Sequence, residues 1–302
     1  MISIALATYN GERFLREQLD SIIEQSYANW ELHVCDDCSS DCTCTILREY
    51  EKKDSRIHIH YNEHNLGFKK NFEKAISFCT GKYIALADQD DIWFKNHLEQ
   101  LMYNIDGCLL VCSNAEHIDA NGSKIGRLQK DPNMYLSNLP EEQFFQILFL
   151  NYVQGCTVLF HSELKEFFLP IPDEQPFHDY WLGIVAASQG CVKYIKEPTM
   201  YYRQHANSVT CNKVVSISER LSDITKVYVD LYEAHKPISR LPLSEGRKKM
   251  YKLAMDYLKG MSEKSGRYHY LFFFIKYYSL IHMTKSYKFF IPRFFKRFIF
   301  KR

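Results

Sequence analysis

Three carboxylates occupy four consecutive positions in the stretch YIALADQDDIW, which runs from Tyr83 to Trp93. Asp88, Asp90 and Asp91 follow directly on a run of mostly apolar, strand-forming residues. Carboxylates this close repel one another, so water or a cation must neutralise them if the group is to form without large strain. Mg²⁺ or Mn²⁺ prefers oxygen ligands and takes one or two carboxylates together with water and substrate phosphates. The alternative is an acidic loop that caps the following helix, where aspartate is also favoured.

Polar side chains also follow the apolar segments nearest the N-terminus. Ile2 to Ala7 leads into Thr8-Tyr9-Asn10-Gly11, and Glu31 to Cys35 leads into Asp36-Asp37. Apolar residues at helical spacing lie between these segments, and strand-like and helix-like stretches continue to alternate as far as Tyr83. This alternation predicts an α/β fold with a mostly parallel sheet. Ligands bind at the carboxyl ends of the strands in such sheets, and the polar groups fall at those ends.

The composition is that of a globular chain without overall charge bias. Of 302 residues, 46% are apolar, and the net charge of +2 gives no reason to expect a nucleic-acid partner. The N-terminal MISIALATYN has no cationic region, no long apolar run and no cleavage site of small residues, so we expect no signal peptide and a cytosolic location. In that reducing compartment the ten cysteines are expected to be free thiols.

Four of the cysteines are clustered in the sequence, at positions 35, 38, 42 and 44. The cluster lacks a second Cys-x-x-Cys pair, so buried or loop thiols are favoured there over a zinc site.

Five short motifs occur in a fixed order along the N-terminal third of the chain. They are Thr8-Tyr9-Asn10, Asp36-Asp37-x-Ser39-x-Asp41, Asn65-x-Gly67, Gly81-Lys82-Tyr83-Ile84 and Asp88-x-Asp90-Asp91. Each is weak alone, but their order and spacing together are specific. As a set they resemble the family 2 glycosyltransferases, and the resemblance covers roughly residues 1 to 210. It implies the GT-A fold, a Rossmann-like α/β domain, and a nucleotide-diphosphate sugar as donor.

The resemblance also implies roles for individual residues. Thr8 and Tyr9 would lie beside the nucleotide base, and Asp36 or Asp37 would hydrogen-bond to the base or the ribose. Asp88 and Asp90 would serve the ribose and a divalent metal, Mg²⁺ or Mn²⁺. A metal that bridges two phosphates offsets the charge that develops on the departing nucleoside diphosphate, which is otherwise a poor leaving group.

One feature of the family pattern is missing. An ungapped count back from Gly81 places Asn71, Phe72 and Glu73 where the family commonly has Ala-Arg-Asn, so the usual arginine is absent. Lys69 or Lys70 is an alternative cation for the diphosphate. The other interpretation is that both are solvated lysines at the start of a helix.

A candidate general base lies in Phe177-His178-Asp179-Tyr180-Trp181. Asp179, an acidic residue shortly before a tryptophan, resembles the family's base, which deprotonates the acceptor hydroxyl for in-line attack on the anomeric carbon. A single displacement of this kind inverts the configuration. The alternative is that Asp179 caps a helix beginning at Tyr180. His178 either tunes this carboxylate or makes only a local hydrogen bond.

Arg203-Gln204-His205 follows a strand-like stretch and resembles the family loop that closes over the donor. In that interpretation His205 completes the metal shell and Arg203 meets phosphate. The alternative is a polar surface.

The composition changes after about residue 215, which predicts a GT-A domain over 1–215 and a helical, basic and aromatic region over 216–302. From Lys264 to Arg302 there are ten Lys or Arg residues, no Asp or Glu, and many Phe and Tyr. No stretch reaches the ~20 uninterrupted apolar residues of a membrane span. The pattern favours binding at the surface of an anionic membrane. A tail packed on the catalytic domain is the alternative.

Together these features predict an inverting, metal-dependent glycosyltransferase that acts on a glycan or lipid-linked acceptor in surface polysaccharide synthesis. It would be cytoplasmic and peripheral on the inner face of the membrane. A UDP-hexose and dTDP-rhamnose both remain open as donors. The alternatives from other classes are a nucleotidyltransferase and a non-catalytic nucleotide-sugar binding protein.

Overall fold

The structure is a computed structural model that describes residues 1–130, 135–206 and 224–262. The chain divides into two compact units, of which the first comprises Met1–Pro132 and Tyr152–Val214 and the second Asn133–Asn151 and Val215–Arg302. The second unit thus contains residues 133–151, which the sequence-based division at residue 215 places in the first domain. The reason is that a helix within 133–151 packs against a helix near the C-terminal end of the described chain.

Nine strands of the first unit form one sheet in the described part of the chain. They are β1 (Ile2–Thr8), β2 (Trp30–Asp36), β3 (Ile57–Tyr61), β4 (Tyr83–Asp88), β5 (Ile92–Trp93), β6 (Leu110–Ile118), β7 (Lys124–Leu128), β8 (Val158–His161) and β9 (Val192–Arg203). Their spatial order is β3-β2-β1-β4-β8-β6-β9-β5, with β7 paired to β6. Parallel pairing joins β1 to β2 and β4, β2 to β3, and β6 to β9, and these ladders contain most of the paired residues.

The helices of the first unit alternate with these strands as the sequence predicts. They are α1 (Leu15–Ile23), α2 (Thr43–Lys53), α3 (Phe68–Phe78), α4 (His97–Asn104), α6 (Lys165–Phe168) and α7 (His178–Gln189). The helix between α4 and α6 in the sequence, α5 (Pro140–Phe149), belongs to the second unit. The central strand β1 is buried along almost its whole length because helices cover the sheet. Its Ile2, Ile4 and Leu6 share one core cluster with the apolar face of α1.

Strand β9 brings distant segments to the edge where the first four strands end. The two-residue strand β5 follows the Asp88–Asp91 turn and pairs antiparallel with β9, Ile92 opposite Tyr201. Strand β8 pairs antiparallel with β4, so the 3₁₀ turn Gly155–Thr157 that precedes β8 lies near the carboxyl end of β4. These pairings explain how residues beyond position 150 reach a site built at the ends of β1, β2 and β4.

The second unit is helical in its described part. It contains α5 (Pro140–Phe149), α8 (Ile224–His235), a 3₁₀ helix (Lys236–Arg240) and α9 (Glu245–Ser262). His235 is buried between the carbonyl groups of Leu231 and Leu148, which ties α8 to α5. None of the helices in the described ranges has the length and apolar character needed to cross a bilayer. The basic, aromatic stretch from Lys264 to Arg302 lies outside the described residues.

Two of the ten cysteines are not free thiols. Cys108 and Cys191 form a disulfide between the segments that precede β6 and β9, with Cα atoms 4.9 Å apart. The prediction of free thiols throughout is therefore wrong for these two, because the parallel pairing of β6 with β9 brings their Cα atoms within bonding range. The other described cysteines are free, and Cys211 lies outside the described residues. The sequence cluster does not converge: Cys35 is buried in β2, while Cys38 and Cys44 contact Asn62 and Asp36, respectively.

Candidate active site

The carboxyl ends of β1, β2 and β4 lie side by side, as the sequence predicts. The strand register places Thr8 opposite Asp36 and Ala7 opposite Asp88. Gln89 links two of these ends: its Oε1 accepts hydrogen bonds from Thr8 Oγ1 at 2.7 Å and from the Tyr9 backbone amide at 2.9 Å. Thr8 is thus buried and bound within the protein, whereas the Tyr9 side chain is half exposed at this edge.

Asp36 and Asp37 are both buried, and other residues of the chain donate hydrogen bonds to their carboxylates. The Asp36 carboxylate accepts hydrogen bonds from the amide and the hydroxyl of Ser39. Asp37 accepts bonds from the backbone amides of Leu66 and Gly67 at 2.8 and 2.9 Å. These two carboxylates therefore hold the turn after β2 and the Asn-x-Gly loop, and direct contact between either one and a donor stays a prediction.

Asp90 and His205 are in direct contact. Asp90 Oδ2 lies 2.6 Å from His205 Nε2, and both side chains are partly exposed. Asp88 lies close to Asp90 at the end of β4. Withdrawal from water raises the pKa of Asp88 to about 7, and the negative charges of Asp90 and Asp179 add to the shift. The three predicted metal ligands, Asp88, Asp90 and His205, are therefore brought together, and Asp179 is close enough for its charge to be felt.

Beneath this surface, Asp91 and Arg203 are buried. Asp91 Oδ1 accepts a bond from the Arg203 amide at 3.0 Å, and the Arg203 guanidinium donates to the Asp90 carbonyl at 2.8 Å and to Glu17 at 2.8 Å. Arg203 is only 2% exposed. It does not meet phosphate as the resemblance implies, because its guanidinium is turned inward to hold the Asp88–Asp91 turn against α1.

The donor set suits a hard divalent cation. The ligand atoms of Asp88, Asp91 and Cys156 lie within 4.8 Å of one another, and the Cys156 thiol is close enough to interact with the buried Asp91 carboxylate. Burial, followed by the charges of Asp91 and Asp88, raises the pKa of Cys156 well above its usual value, so its sulfur stays a neutral thiol. The carboxylate oxygens of Asp88 and Asp91 remain as hard ligands of this group, which fits Mg²⁺ or Mn²⁺. The metal-binding roles of Asp90 and His205 stay predictions.

Asp179 lies in the first turn of α7, which begins at His178 rather than at Tyr180. Phe177 is extended, so the chain enters the helix one residue before Asp179 and no side chain caps it. Asp179 Oδ2 instead accepts a hydrogen bond from the Gly155 amide at 3.2 Å. This bond orients a partly exposed carboxylate at the same edge as Asp88.

The lysines suggested as replacements for the missing arginine do not face the site. Lys69 Nζ donates to the carbonyls of Pro172, Asp173 and Gln175. Lys70 Nζ binds Glu73 at 3.0 Å and the Ile171 carbonyl at 3.3 Å. Both cations are thus used to hold the loop that precedes α7.

Two residues were missed by sequence reasoning. Gln89 occupies the variable position of the acidic motif yet joins the ends of β1 and β4. Asn71 is buried and donates to the Cys35 carbonyl at 2.9 Å, which ties α3 to the end of β2. The role of Asn71 could have been suspected from the sequence, because it is an amide side chain near the start of a helix that follows a strand. The motif spacing gives no comparable indication for Gln89.

Comparison with known proteins fits this geometry. A family model described as "Glycosyl transferase family 2" matches residues 3–168, more than half of the chain. The chain belongs to glycosyl transferase family 2. The matched segment contains every strand end described above except those supplied by β9, and it ends before Asp179.

The family 2 assignment agrees with individual relatives. The putative teichuronic acid biosynthesis glycosyltransferase TuaG of Bacillus subtilis is 28% identical over 218 residues, covering 70% of this chain and 82% of the relative. The UDP-Glc:alpha-D-GlcNAc-diphosphoundecaprenol beta-1,3-glucosyltransferase WfgD of Escherichia coli is 28% identical over 244 residues, covering 80% and 89%. The chain thus resembles glycosyltransferases of bacterial polysaccharide synthesis.

The fold has solved counterparts. The crystal structure of S. aureus TarS 1-349 in complex with UDP-GlcNAc superposes with a TM-score of 0.65 at 17% identity, covering 93% of this chain and 78% of that one. This likeness confirms the predicted GT-A fold, in which helices follow a mostly parallel central sheet.

Proposed function

We propose that this family 2 chain is an inverting, metal-dependent glycosyltransferase that moves a hexose or rhamnose from a nucleotide-diphosphate sugar to a hydroxyl of a glycan or lipid-linked acceptor. One observation carries the proposal. Asp88, Asp90, His205 and Asp179 gather at one strand edge, where burial, followed by the negative charges of Asp90 and Asp179, raises the pKa of Asp88 to about 7. Such a group fits a divalent cation and a substrate that brings phosphates with it.

The donor would bind along the ends of β1, β2 and β4. Tyr9 offers an exposed ring beside the nucleotide base, with Thr8 held next to it through Gln89. Asp36 and Asp37 shape the adjoining loops, and Asp88 is left to meet the ribose. Asp88, Asp90 and His205 would hold Mg²⁺ or Mn²⁺, which neutralises charge on the departing nucleoside diphosphate.

Asp179 is proposed as the general base. Its carboxylate is oriented by the Gly155 amide and partly exposed, so an acceptor hydroxyl can reach it and lose its proton to it. The oxygen then attacks the anomeric carbon in line with the departing diphosphate, and one displacement inverts the configuration.

The acceptor and its location are proposed from the relatives. The name of WfgD specifies UDP-Glc as donor and a diphosphoundecaprenol-linked sugar as acceptor. We propose a lipid-linked or glycan acceptor for this chain too, reached by peripheral binding to the inner face of the membrane. A UDP-hexose and dTDP-rhamnose are the donor candidates.

Thermal-shift measurements with a panel of nucleotide sugars, with and without Mn²⁺, identify the donor because a bound ligand raises the apparent stability by mass action. The expected result is a shift for one nucleotide class that is largest with Mn²⁺. A chelator that leaves donor binding and turnover unchanged contradicts metal dependence.

Asp179→Asn tests the base. It is expected to lower transfer by about 10²- to 10⁴-fold while donor binding stays within twofold of the wild type, because only proton removal is lost. Asp106→Asn, at an exposed position between α4 and β6, is the matched control and should transfer normally. Full transfer by Asp179→Asn would remove the base assignment, and turnover of a nucleoside triphosphate without sugar transfer would indicate a nucleotidyltransferase.

A further inference from the structure

Two large aromatic side chains are exposed at the start of α3 and just before α7, the helix that carries the proposed base. Phe68, at the start of α3, is 38% exposed, and Phe177, two residues before Asp179, is 42% exposed. Their ring centroids lie 6.2 Å apart. Two neighbouring exposed phenylalanines form the kind of apolar patch that marks a binding surface.

These two rings lie on a buried layer of rings. His178 is 7% exposed and stacks on Phe72, which is 4% exposed, with ring centroids 4.1 Å apart. The His178 ring also meets Phe68 edge-on at 6.2 Å. We call Phe68, Phe72, Phe177 and His178 the aromatic shelf. His178 thus neither hydrogen-bonds to Asp179 nor caps α7: in the described chain its ring nitrogens have no hydrogen-bond partner.

The aromatic shelf is joined to the loop that orients Asp179. A Cβ added to Gly155 would lie 2.8 Å from His178 Nε2, so the ring packs directly on the turn whose amide binds Asp179. Only glycine leaves room for this arrangement without displacing the ring. The exposed rings and the base are therefore held by the same pair of segments.

Ionic and polar contacts fix the two segments to each other. Lys69, next to Phe68, donates to three carbonyls of the loop before Phe177, at 3.0 to 3.3 Å. Glu73 Oε2 accepts a bond from the Ile171 amide at 2.8 Å in the same loop. Because both ends are tied, Phe68 and Phe177 form a preorganised surface rather than two independent side chains.

We propose that the aromatic shelf is the acceptor subsite, where Phe68 and Phe177 pack against the C–H face of the pyranose ring that carries the reacting hydroxyl. This inference rests on the proposed function. The reacting hydroxyl must lie within hydrogen-bond reach of Asp179, so the ring that bears it covers the surface next to that carboxylate. Aromatic faces carry partial negative charge and attract the polarised C–H groups of a sugar.

The position favours an acceptor sugar over the donor sugar. In-line displacement places the acceptor and the departing diphosphate on opposite sides of the anomeric carbon. The diphosphate is assigned to Asp88, Asp90 and His205 at the ends of β4 and β9, whereas the shelf belongs to α3 and to the turn that carries the base.

The test uses the full chain with Mn²⁺ and the nucleotide sugar selected by thermal shift, and octyl β-D-pyranosides of the gluco, galacto and N-acetylglucosamine series as acceptor probes. Phe68→Ala and Phe177→Ala are expected to raise the half-saturating probe concentration about three- to tenfold, the effect of losing one aromatic contact. The maximal rate and the acceptor-free hydrolysis of the donor should stay within twofold of the wild type. Phe177→Trp should restore the wild-type value.

A second measurement does not depend on turnover. Saturation-transfer NMR with methyl β-D-glucopyranoside should give its strongest signals at H1, H3 and H5, the protons of the C–H face, and the two alanine variants should lose them. If the probes bind without being glycosylated, these signals decide the question. Tyr103→Ala is the matched control, since Tyr103 is 83% exposed on α4, a helix that contributes no residue to the aromatic shelf.

The results distinguish failure of the acceptor-subsite proposal from failure of the proposed function. If the shelf variants keep the wild-type acceptor dependence and NMR signals while Asp179→Asn abolishes transfer, the subsite is wrong and the proposed function stands. A raised requirement for donor instead of acceptor, or equal losses in Tyr103→Ala, also overturns the subsite. A wild-type chain that binds no nucleotide sugar overturns the proposed function, and the subsite with it.

Discussion

At the scale of single residues, Asp90 and His205 show how distant parts of the chain come together at the proposed metal site. They are 115 positions apart in the sequence, yet their polar atoms lie 2.6 Å from each other. Asp90 is held by its own backbone, whose carbonyl accepts a bond from buried Arg203. Arg203 and His205 are only two residues apart at the end of β9. The end of this strand therefore positions both His205, a proposed metal ligand, and Arg203, which supports the second proposed ligand, Asp90.

Substitution of these ligands should weaken cation binding to different extents. Asp90→Asn removes a charge as well as a ligand and is expected to lower Mn²⁺ affinity about a hundredfold, whereas His205→Gln removes one neutral ligand and should lower it about tenfold. Titration calorimetry with Mn²⁺ in the presence of a nucleoside diphosphate measures both. Asp106→Asn serves as the charge-matched control, and an unchanged affinity in Asp90→Asn would exclude that carboxylate from the site.

Residue chemistry alone does not reveal which cations face a ligand. From the sequence, Arg203, Lys69 and Lys70 are all candidates for a diphosphate, since all are cationic and near the motifs. In the structure each instead binds internal carbonyls or carboxylates. A buried donor must be paired, and a partner 100 or more positions away in sequence, such as Gln175 for Lys69, satisfies it only once the fold exists. The motif aspartates, by contrast, were predictable because they follow strands directly.

At the scale of elements, local patterns were sufficient for the parallel half of the sheet. Strands β1 to β4 alternate with helices whose apolar spacing is plain, so the polar ends of β1, β2 and β4 could be placed together before the structure was known. The pairing of β5 with β9 was not predictable, because β5 has only two residues and its partner lies over 100 positions away. The disulfide was missed for the same reason, since it follows from the parallel pairing of β6 with β9.

A buried histidine joins three of these elements and makes their packing sensitive to pH. His97 on α4 has Nδ1 2.7 Å from the Thr199 hydroxyl on β9, which in turn lies 2.6 Å from the Ser113 hydroxyl on β6. Burial lowers the pKa of His97 to about 3, below its ordinary value near 6.5. Between these two values the unfolded chain binds a proton that the folded chain does not, so the stability contributed by neutral His97 is complete above about pH 6.5 and declines as the pH falls.

We therefore expect the free energy of unfolding to fall on acidification with a component from His97 of up to about 1.4 kcal/mol per pH unit below pH 6. His97→Asn should unfold more easily at pH 7 but lose less stability between pH 6 and 4.5, because it has no proton to take up. Urea denaturation at a series of pH values measures both slopes. His64→Asn, at an exposed loop position, is the control, and equal slopes in wild type and His97→Asn would contradict the assignment.

At the scale of the whole molecule, charge is divided unequally along the chain. The net charge is +2, but Lys264 to Arg302 holds ten Lys or Arg and no acidic residue, so residues 1–263 carry 28 basic against 36 acidic side chains. The part that contains the active site is therefore acidic, by a net charge of −8. The negative charge of residues 1–263 repels both a nucleoside diphosphate and an anionic membrane. A cation bound at Asp88 and Asp90 would offset the first repulsion, and the basic C-terminal segment would offset the second.

That division predicts salt-sensitive binding of the full chain to anionic vesicles through its C-terminal segment. Each Lys or Arg near such a surface contributes about 1 kcal/mol, so replacing five of them by Gln should lower vesicle affinity at least about a hundredfold in sedimentation assays at low salt. The substituted positions are Arg293, Lys296, Arg297, Lys301 and Arg302. The matched control neutralises five exposed lysines of the first unit, namely Lys52, Lys53, Lys82, Lys95 and Lys193.

Transfer to a soluble octyl glycoside separates the two interpretations of this segment. If the segment binds the membrane, the C-terminal variant should keep its transfer rate on the soluble probe while losing vesicle binding, because the residues proposed for the active site all precede position 206. If the segment instead packs on the catalytic domain through its aromatic face, vesicle binding of wild type and variant will be equally weak. The charge difference along the chain would then serve solubility rather than location.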